Sequence, residues 1–303
     1  MTFDASVIIK VRNGAATIRR QLQALSAQRD APPFEVIVVD NGSTDGTARV
    51  VQEWIDQGTG AVTDACVISA ADRASIPYSC NVGASAASGR LLLFCDADDA
   101  VHPGWVGAMT AGLVGPGIAA GRVVAWRDGH PVRGLVPEGP TRTNYLPHVS
   151  GCNYAIDRAT FLDIGGFDES LPVYGCEDVD IAWRAQENGH PLIHLPAAVV
   201  DFTVTPSTRA VKKTFRAAKA RIAVAIRYPR SMAEHPITLR AVLTDTARQT
   251  LLLPLALARP GTIPRTRILR NVVASHGRLA GYWTYAIRKK PPQYLSRTIQ
   301  GAQ

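Results

Sequence analysis

Residues 209–303 hold almost no negative charge: Glu234 and Asp245 stand against 19 Lys and Arg. Residues 1–208 reverse the balance, with 23 Asp and Glu against 14 Lys and Arg. Such a split predicts two functional parts, an acidic body and a basic tail. Cysteine is scarce as well. Cys66, Cys80, Cys95, Cys152 and Cys176 are odd in number, and no two have CxxC spacing. That pattern argues against a disulfide framework or a zinc site, and for reduced thiols in a cytoplasmic protein. The N-terminus lacks a basic stretch followed by an apolar run, so no signal peptide is expected. Also missing is any run of about 18 uninterrupted apolar residues, the length a membrane span needs. The nearest candidate, 241–258, is broken by Asp245, Arg248 and Pro254. Internal repeats and low-complexity segments are absent too.

What the chain does have is enough apolar material, 46% of 303 residues, to fill a sizeable core. Residues 6–11 (Ser-Val-Ile-Ile-Lys-Val) read as a buried strand, and Asn13-Gly14 breaks it. Ile18, Leu22 and Leu25 then recur at helical spacing. A second β-branched run, 34–39, closes on the turn-rich stretch 40–47, and a helix follows through Trp54. A third strand is expected near 65–70, and a small-residue helix over 81–88. Strand and helix alternate at the spacing of a parallel sheet covered on both faces. Beyond residue 100 the pattern is mixed: a strand over 118–126, a Gly/Pro/Arg-rich loop over 127–150, and a helix over 177–188.

The most informative stretch is 91–99, Leu-Leu-Leu-Phe-Cys-Asp-Ala-Asp-Asp. A buried strand runs directly into Asp96, Asp98 and Asp99. Three clustered carboxylates repel one another and resist burial. They are either a solvated acidic turn or the ligands of a hard divalent cation such as Mg2+ or Mn2+. The carboxyl end of a strand is where open α/β sheets bind ligands.

The ordered set of motifs resembles the family 2 glycosyltransferases of the inverting, non-processive GT-A type. Those motifs are Ser-Val-Ile-Ile near the start, the 38–47 turn, Asn81-Val82-Gly83, Asp96-Ala97-Asp98-Asp99, Gly165-Gly166-Phe167-Asp168-Glu169 and Glu177-Asp178-Val179-Asp180. They span about residues 5–205. The resemblance implies a Rossmann-like, mostly parallel α/β sheet flanked by helices. Residues 1–208 would form the transferase domain, with a nucleotide-binding half (1–100) and an acceptor-binding half (101–208). Residues 209–303 would be a basic helical appendage. It also implies a nucleoside-diphosphate-sugar donor, a metal, and a glycan or lipid-linked glycan acceptor. The chemistry agrees. A diphosphate carrying about two negative charges sits beside carboxylates only if a cation bridges them, and an acceptor hydroxyl needs a carboxylate to take its proton.

By resemblance, Asp98 is a metal ligand, and Asp96 lies near the metal or the ribose. Asp99 either orients the donor sugar or caps a helix ahead of His102-Pro103. Asp40 contacts the base, with Val11, Arg12 and Asn13 on the other wall; its competing role is a turn former. Asn81 and Ala97 complete the nucleotide-sugar set. Asp178 is the expected base and Glu177 an acceptor ligand, although both residues also suit a helix start. Asp180 is expected to pair with Arg184. Cys152, Asn153 and Trp183 are candidate acceptor contacts, and His148 reaches the site if the 127–150 loop is a lid. Relatives usually carry a metal-binding histidine where Phe202 stands; its loss implies a metal with a single protein ligand, substitution by Asp201, or weak activity. They also often carry an arginine where Cys80 stands, which Arg73 or Arg90 would replace. No QxxRW motif occurs, which argues against a processive synthase.

In the tail, Arg209, Lys212, Lys213, Arg216 and Lys219 interleave with Val211, Phe215, Ala218 and Ile222 as a basic amphipathic helix. Tyr282, Trp283 and Tyr285 precede Arg288-Lys289-Lys290. This composition suits an anionic membrane surface reached from the cytoplasm. A solvated helical appendage is the alternative, and no nucleic-acid module is recognisable. Two other functions compete with sugar transfer. One is nucleotidyl transfer, for which a convincing Gly-rich, Lys- or Arg-bearing loop after the first strand is lacking. The other is a catalytically inactive binding module.

Overall fold

The computed structural model describes residues 3–204, 210–234, 236–254 and 265–295. They form two compact units. The first comprises residues up to 168, Asp178–Val204 and residues 294–295; the second comprises Glu169–Glu177 and the described residues of Thr205–Gln293. The single boundary expected at 208 is thus an interleaving, with Glu169–Glu177 grouped with the tail helices.

The first half of unit one is the expected alternation. Strands β1 (Ala5–Val11), β2 (Phe34–Asp40), β3 (Asp64–Ser69) and β4 (Leu91–Asp96) lie in the order β3-β2-β1-β4, all parallel. Helices α1 (Ile18–Ser26), α2 (Thr47–Asp56) and α3 (Ile76–Ala86) connect them. Parallel strands covered on both faces must be apolar throughout. Val7, Ile9 and Val11 pack in one core with Leu22, Leu25 and Val51. Ile8, Leu92 and Phe94 pack in the other with Cys80, Ala84 and Tyr154.

The second half is mixed. It contributes β5 (Ala100–Val101), α4 (Trp105–Gly112), β6 (Ile118–Arg127), β7 (His130–Pro131), β8 (Asn153–Asp157), α5 (Arg158–Asp163), α6 (Glu177–Glu187) and β9 (Leu192–Thr203). The sheet continues β4-β8-β6-β9-β5. β8 runs antiparallel to β4 and β6, whereas β6 and β9 are parallel. The β6–β9 register slips between Gly121 and Arg122. Gly121 is needed there, because a Cβ would lie 2.4 Å from the Ala198 carbonyl and 2.4 Å from the Asn153 amide.

Unit two is helical. α7 (Ala210–Arg227) realises the basic amphipathic helix, burying Ala218, Ile222 and Ala225. A 3-10 turn (Pro229–Met232), α8 (Leu239–Leu251), α9 (Arg265–Tyr282) and a π-helical turn (Trp283–Ile287) follow. α9 approaches α7 closely at Gly277, where a Cβ would meet the Phe215 carbonyl at 2.5 Å. Asp245 and Arg278 join α8 to α9 at 2.5 Å. Leu239, Leu243, Leu251 and Trp283 remain exposed. Among the described residues, no helix is long and apolar enough to cross a membrane.

Candidate active site

The carboxyl ends of β1, β2 and β4 lie side by side, because the strands are parallel and in register: Lys10 sits opposite Asp96, and Val11 opposite Asp40. The sheet therefore delivers three sequence motifs to one edge.

β4 ends in Asp96, Asp98 and Asp99, which can each turn one oxygen to within 4.8 Å of the others. Their environments differ. Asp98 is exposed. Asp96 is partly buried and forms an ion pair with Lys10. Asp99 is fully buried. Its Oδ1 accepts from Thr203 N at 2.8 Å, and its Oδ2 has no hydrogen-bond partner among the described residues. Burial, together with the charges of Asp96 and Asp98, pushes the Asp99 carboxyl up to about 8. An orphaned buried oxygen beside two further carboxylates is the donor set a hard divalent cation requires. The helix-cap reading of Asp99 is corrected: α4 begins at Trp105 with Gly104 as its cap, and Asp99 bonds to β9 instead.

The second acidic position is Asp178 on α6. Its Oδ2 accepts from Gly151 N at 3.1 Å and its Oδ1 from Val179 N at 2.9 Å. Burial pushes its carboxyl above the ordinary range, against the pull of His148, the two backbone N–H groups and Lys10. The two acidic positions are linked through Lys10, whose Nζ pairs with Asp96 and donates to the Gly151 carbonyl, and through Gly151, whose N–H donates to Asp178 Oδ2. Burial raises the Cys152 thiol first, and Asp96, Asp99 and Asp178 raise it further. His148 donates from Nδ1 to its neighbour's carbonyl, Val149 O, at 2.8 Å, and the 127–150 loop carrying it doubles back, with Thr141 pairing His148.

Asp40 ends β2, and its Oδ1 accepts from Ser43 N at 2.9 Å, so the turn-forming role is realised. Asn13, at φ 54°, accepts from Thr44 N through Oδ1, and its own N–H bonds to Ser43 Oγ. Val11 and Ala97 are buried at the same edge. Asn41 is structural, holding Ala70 O, Arg73 O and Ser75 N.

Three of the expected ligand contacts use their polar groups within the fold. Asn81 is buried, and both ends of its amide bond the Phe167 backbone. Asn153 accepts from Trp105 Nε1 and donates to the Arg122 and Ala198 carbonyls, pinning the β6–β9 slip. Trp183 is buried and donates to Leu146 O, so it supports the 127–150 loop and is no open stacking surface. Cys152 is likewise buried, with its thiol pushed well up. Glu177 accepts from Gly175 N at 2.9 Å. Asp201 is engaged by His102 at 3.0 Å and by Arg20 at 3.8 Å. Arg90 donates to Leu113 O at the opposite end of β4, so it cannot replace the arginine lost at Cys80; Arg73 lies in the loop before α3, near the carboxyl ends. Sequence reasoning passed over Lys10, although a lone charge near the end of an apolar strand is a readable signal.

Comparison with known proteins agrees with this arrangement. The sequence profile of Glycosyl transferase family 2 matches residues 6–157, and that of the N-terminal domain of galactosyltransferase matches residues 141–206. Pre-mycofactocin glycosyltransferase of Mycobacterium tuberculosis is 30% identical over 211 residues, covering 65% of this chain and 42% of that protein. The chain thus spans under half the length of that relative. Glycosyltransferase AglE of Haloferax volcanii is 29% identical over 234 residues, covering 72% of this chain and 73% of its own. The mannosyltransferase of Pyrobaculum calidifontis, solved with GDP-Man and Mn2+, superposes with a TM-score of 0.57 at 19% identity, over 96% of this chain and 89% of the other. At that identity the likeness is one of fold, and the fold is the expected GT-A arrangement.

Proposed function

This chain belongs to glycosyl transferase family 2, and from that premise we propose that it moves one sugar, with inversion, from a nucleoside-diphosphate donor to a hydroxyl of a glycan or lipid-linked glycan in cell-envelope or polysaccharide synthesis. The observation that carries the reading is the convergence of two acidic positions of unlike character: a three-carboxylate cluster with an orphaned buried oxygen, and a separate aspartate held by backbone donors. The structure of a similar fold with GDP-Man and Mn2+ supports the donor class and the metal.

Asp98 and Asp99, with Asp96 beside them, would hold Mg2+ or Mn2+. Such a cation supplies charge neutralisation for a departing diphosphate. The chain's own residues do the rest. The edge formed by Asp40, Val11 and Asn13 receives the nucleoside. Asp178 keeps lone pairs beyond its two backbone bonds, so it can accept the acceptor's hydroxyl proton as that oxygen attacks the anomeric carbon. The Gly151 and Val179 N–H groups fix the direction of that carboxylate, which is the positioning contribution to rate.

The finer reading of unit two is contact with an anionic membrane surface. Its support is the exposed Leu239, Leu243 and Leu251 on a helix that also carries Arg240 and Arg248, and the exposed Trp283 before Arg288. A lipid-linked acceptor would be met there.

The deciding experiment follows nucleoside-diphosphate release from a panel of nucleotide sugars with Mn2+, Mg2+ or a chelator. Wild type should release it only with metal and for a narrow donor set, and Asp98→Ala should not. Metal-independent release, or none from any donor, would overturn the reading.

A further inference from the structure

Lys10 is the one charged residue of β1, and neither the strand pattern nor the proposed reaction accounts for it. Its side chain is only 12% exposed. Burying an ammonium to that extent is unfavourable unless it is both paired and hydrogen-bonded. Both conditions are met. Strand register sets Lys10 beside Asp96, and Nζ makes an ion pair with Asp96 Oδ1. The same Nζ donates to the Gly151 carbonyl at 2.9 Å. On its other side, the Gly151 residue donates its own N–H to Asp178 Oδ2 at 3.1 Å. One ammonium and one glycine therefore connect the metal-side acids to the acceptor-side base.

We propose that Lys10 is a positioning residue for the transfer: its ammonium ties the β4 acids to the glycine that orients Asp178, and it keeps Asp96 as its own counter-ion, so that a divalent cation draws its ligands from Asp98 and Asp99. This rests on the sugar-transfer reading.

Two consequences separate this role from that of a simple brace. A fixed positive charge beside the acidic cluster opposes a divalent cation, so removing it strengthens cation binding. The same charge favours the ionised form of Asp178. The other groups acting on Asp178 are His148 from the 127–150 loop and the backbone N–H groups of Gly151 and Val179, and the buried Cys152 thiol feels the acids of both positions. Replacing Lys10 removes none of these groups, although it releases the Gly151 carbonyl that its ammonium holds.

The test uses the full chain carrying Lys10→Met, Lys10→Gln or Lys10→Arg. Mn2+ affinity is measured by calorimetry without donor, and the pH profile of kcat/KM is measured with it. Lys10→Met and Lys10→Gln should bind Mn2+ about threefold tighter or more. Both should move the acid limb of the profile to higher pH, and Lys10→Met should lower kcat about tenfold. Lys10→Gln, which keeps a donor for Gly151, should retain more kcat than Lys10→Met. Lys10→Arg should keep the wild-type Mn2+ affinity and acid limb. Unchanged Mn2+ affinity in a folded neutral variant overturns the proposal, as does loss of activity with an unmoved limb. If Lys10→Met fails to fold by circular dichroism, Lys10→Gln carries the comparison. If wild type turns over no nucleotide sugar, the transfer reading fails on its own, and the Mn2+ titration still decides whether Lys10 holds Asp96.

Discussion

Arg184 donates to Asp180 Oδ2 at 2.7 Å one turn along α6, with both side chains buried. The same guanidinium donates to the Ile164 and Gly166 carbonyls at 2.5 and 2.6 Å, and it stacks on the Tyr294 ring at 4.4 Å. The pair expected from i, i+4 spacing is thus the rivet that fixes the helix carrying Asp178. Arg184→Met should destabilise the fold by about 3 kcal/mol, because it leaves the Asp180 carboxylate buried without its guanidinium. Denaturant unfolding of the variant measures this.

Asp178→Asn keeps the shape of the side chain but cannot take a proton, and its single amide oxygen can accept from only one of Gly151 N and Val179 N. It should fold with some loss of stability and lose about a thousandfold in transfer rate, with donor affinity retained. Calorimetric donor binding set beside turnover separates the two effects.

The pH dependence has a definite sign. The Asp178 carboxyl lies above its ordinary 3.8 in the folded protein. Between 3.8 and that raised value the folded state holds a proton the unfolded chain has released. Stability from this group therefore falls as pH rises through the window. Activity moves the other way, because the base must be ionised, so kcat/KM should rise over the same window. Melting temperatures across pH for wild type and Asp178→Asn check the first statement, since the substitution should flatten this contribution.

Asn153→Ala tests whether that residue acts as a brace or as an acceptor contact. It removes three buried hydrogen bonds, to Trp105, Arg122 and Ala198, and should lower stability by about 2–4 kcal/mol. In the folded fraction the KM for acceptor should stay near wild type. A raised acceptor KM at unchanged melting temperature would return Asn153 to the binding site.

Unit two predicts co-sedimentation with vesicles containing anionic lipid and little with neutral ones. Leu243→Asp together with Leu251→Asp should abolish it without altering donor turnover in solution, because both side chains are exposed.

Much of this architecture was legible because it is local. The runs that became β1, β2 and β4 are continuous and apolar. The acids at the end of β4 break the pattern at the point where the chain leaves the sheet. β5 and β8 were not legible as strands, since two residues in one case and five small or mixed residues in the other gain their pairing only from distant partners. The internal bonds of two amides were illegible for the same reason. Asn81 bonds a segment 86 residues away, and Asn153 bonds one 45 residues away. A sequence shows that an asparagine is present but not which carbonyls fold back to meet it. Motif order is what singles out Asp178 and Asp98 for the proposed roles; the ammonium that joins their neighbourhoods was not legible, because its partners, Asp96 on β4 and Gly151 before β8, are far from it in the chain.

The distribution of thiols has a practical consequence. Cys95 is fully buried and pushed up to about 12, and Cys152 and Cys80 are buried as well, whereas Cys66 stands exposed on the outermost strand, β3. Thiolate chemistry needs both access and ionisation; partial burial and the charges of Glu35 and Asp64 raise the Cys66 thiol too, so access is what favours it, with half-buried Cys176 the next most accessible. A maleimide fluorophore should therefore settle on Cys66 well before it reaches the thiols beside the acids, giving an optical reporter at the rim of the nucleotide half of the sheet without engineering the site itself.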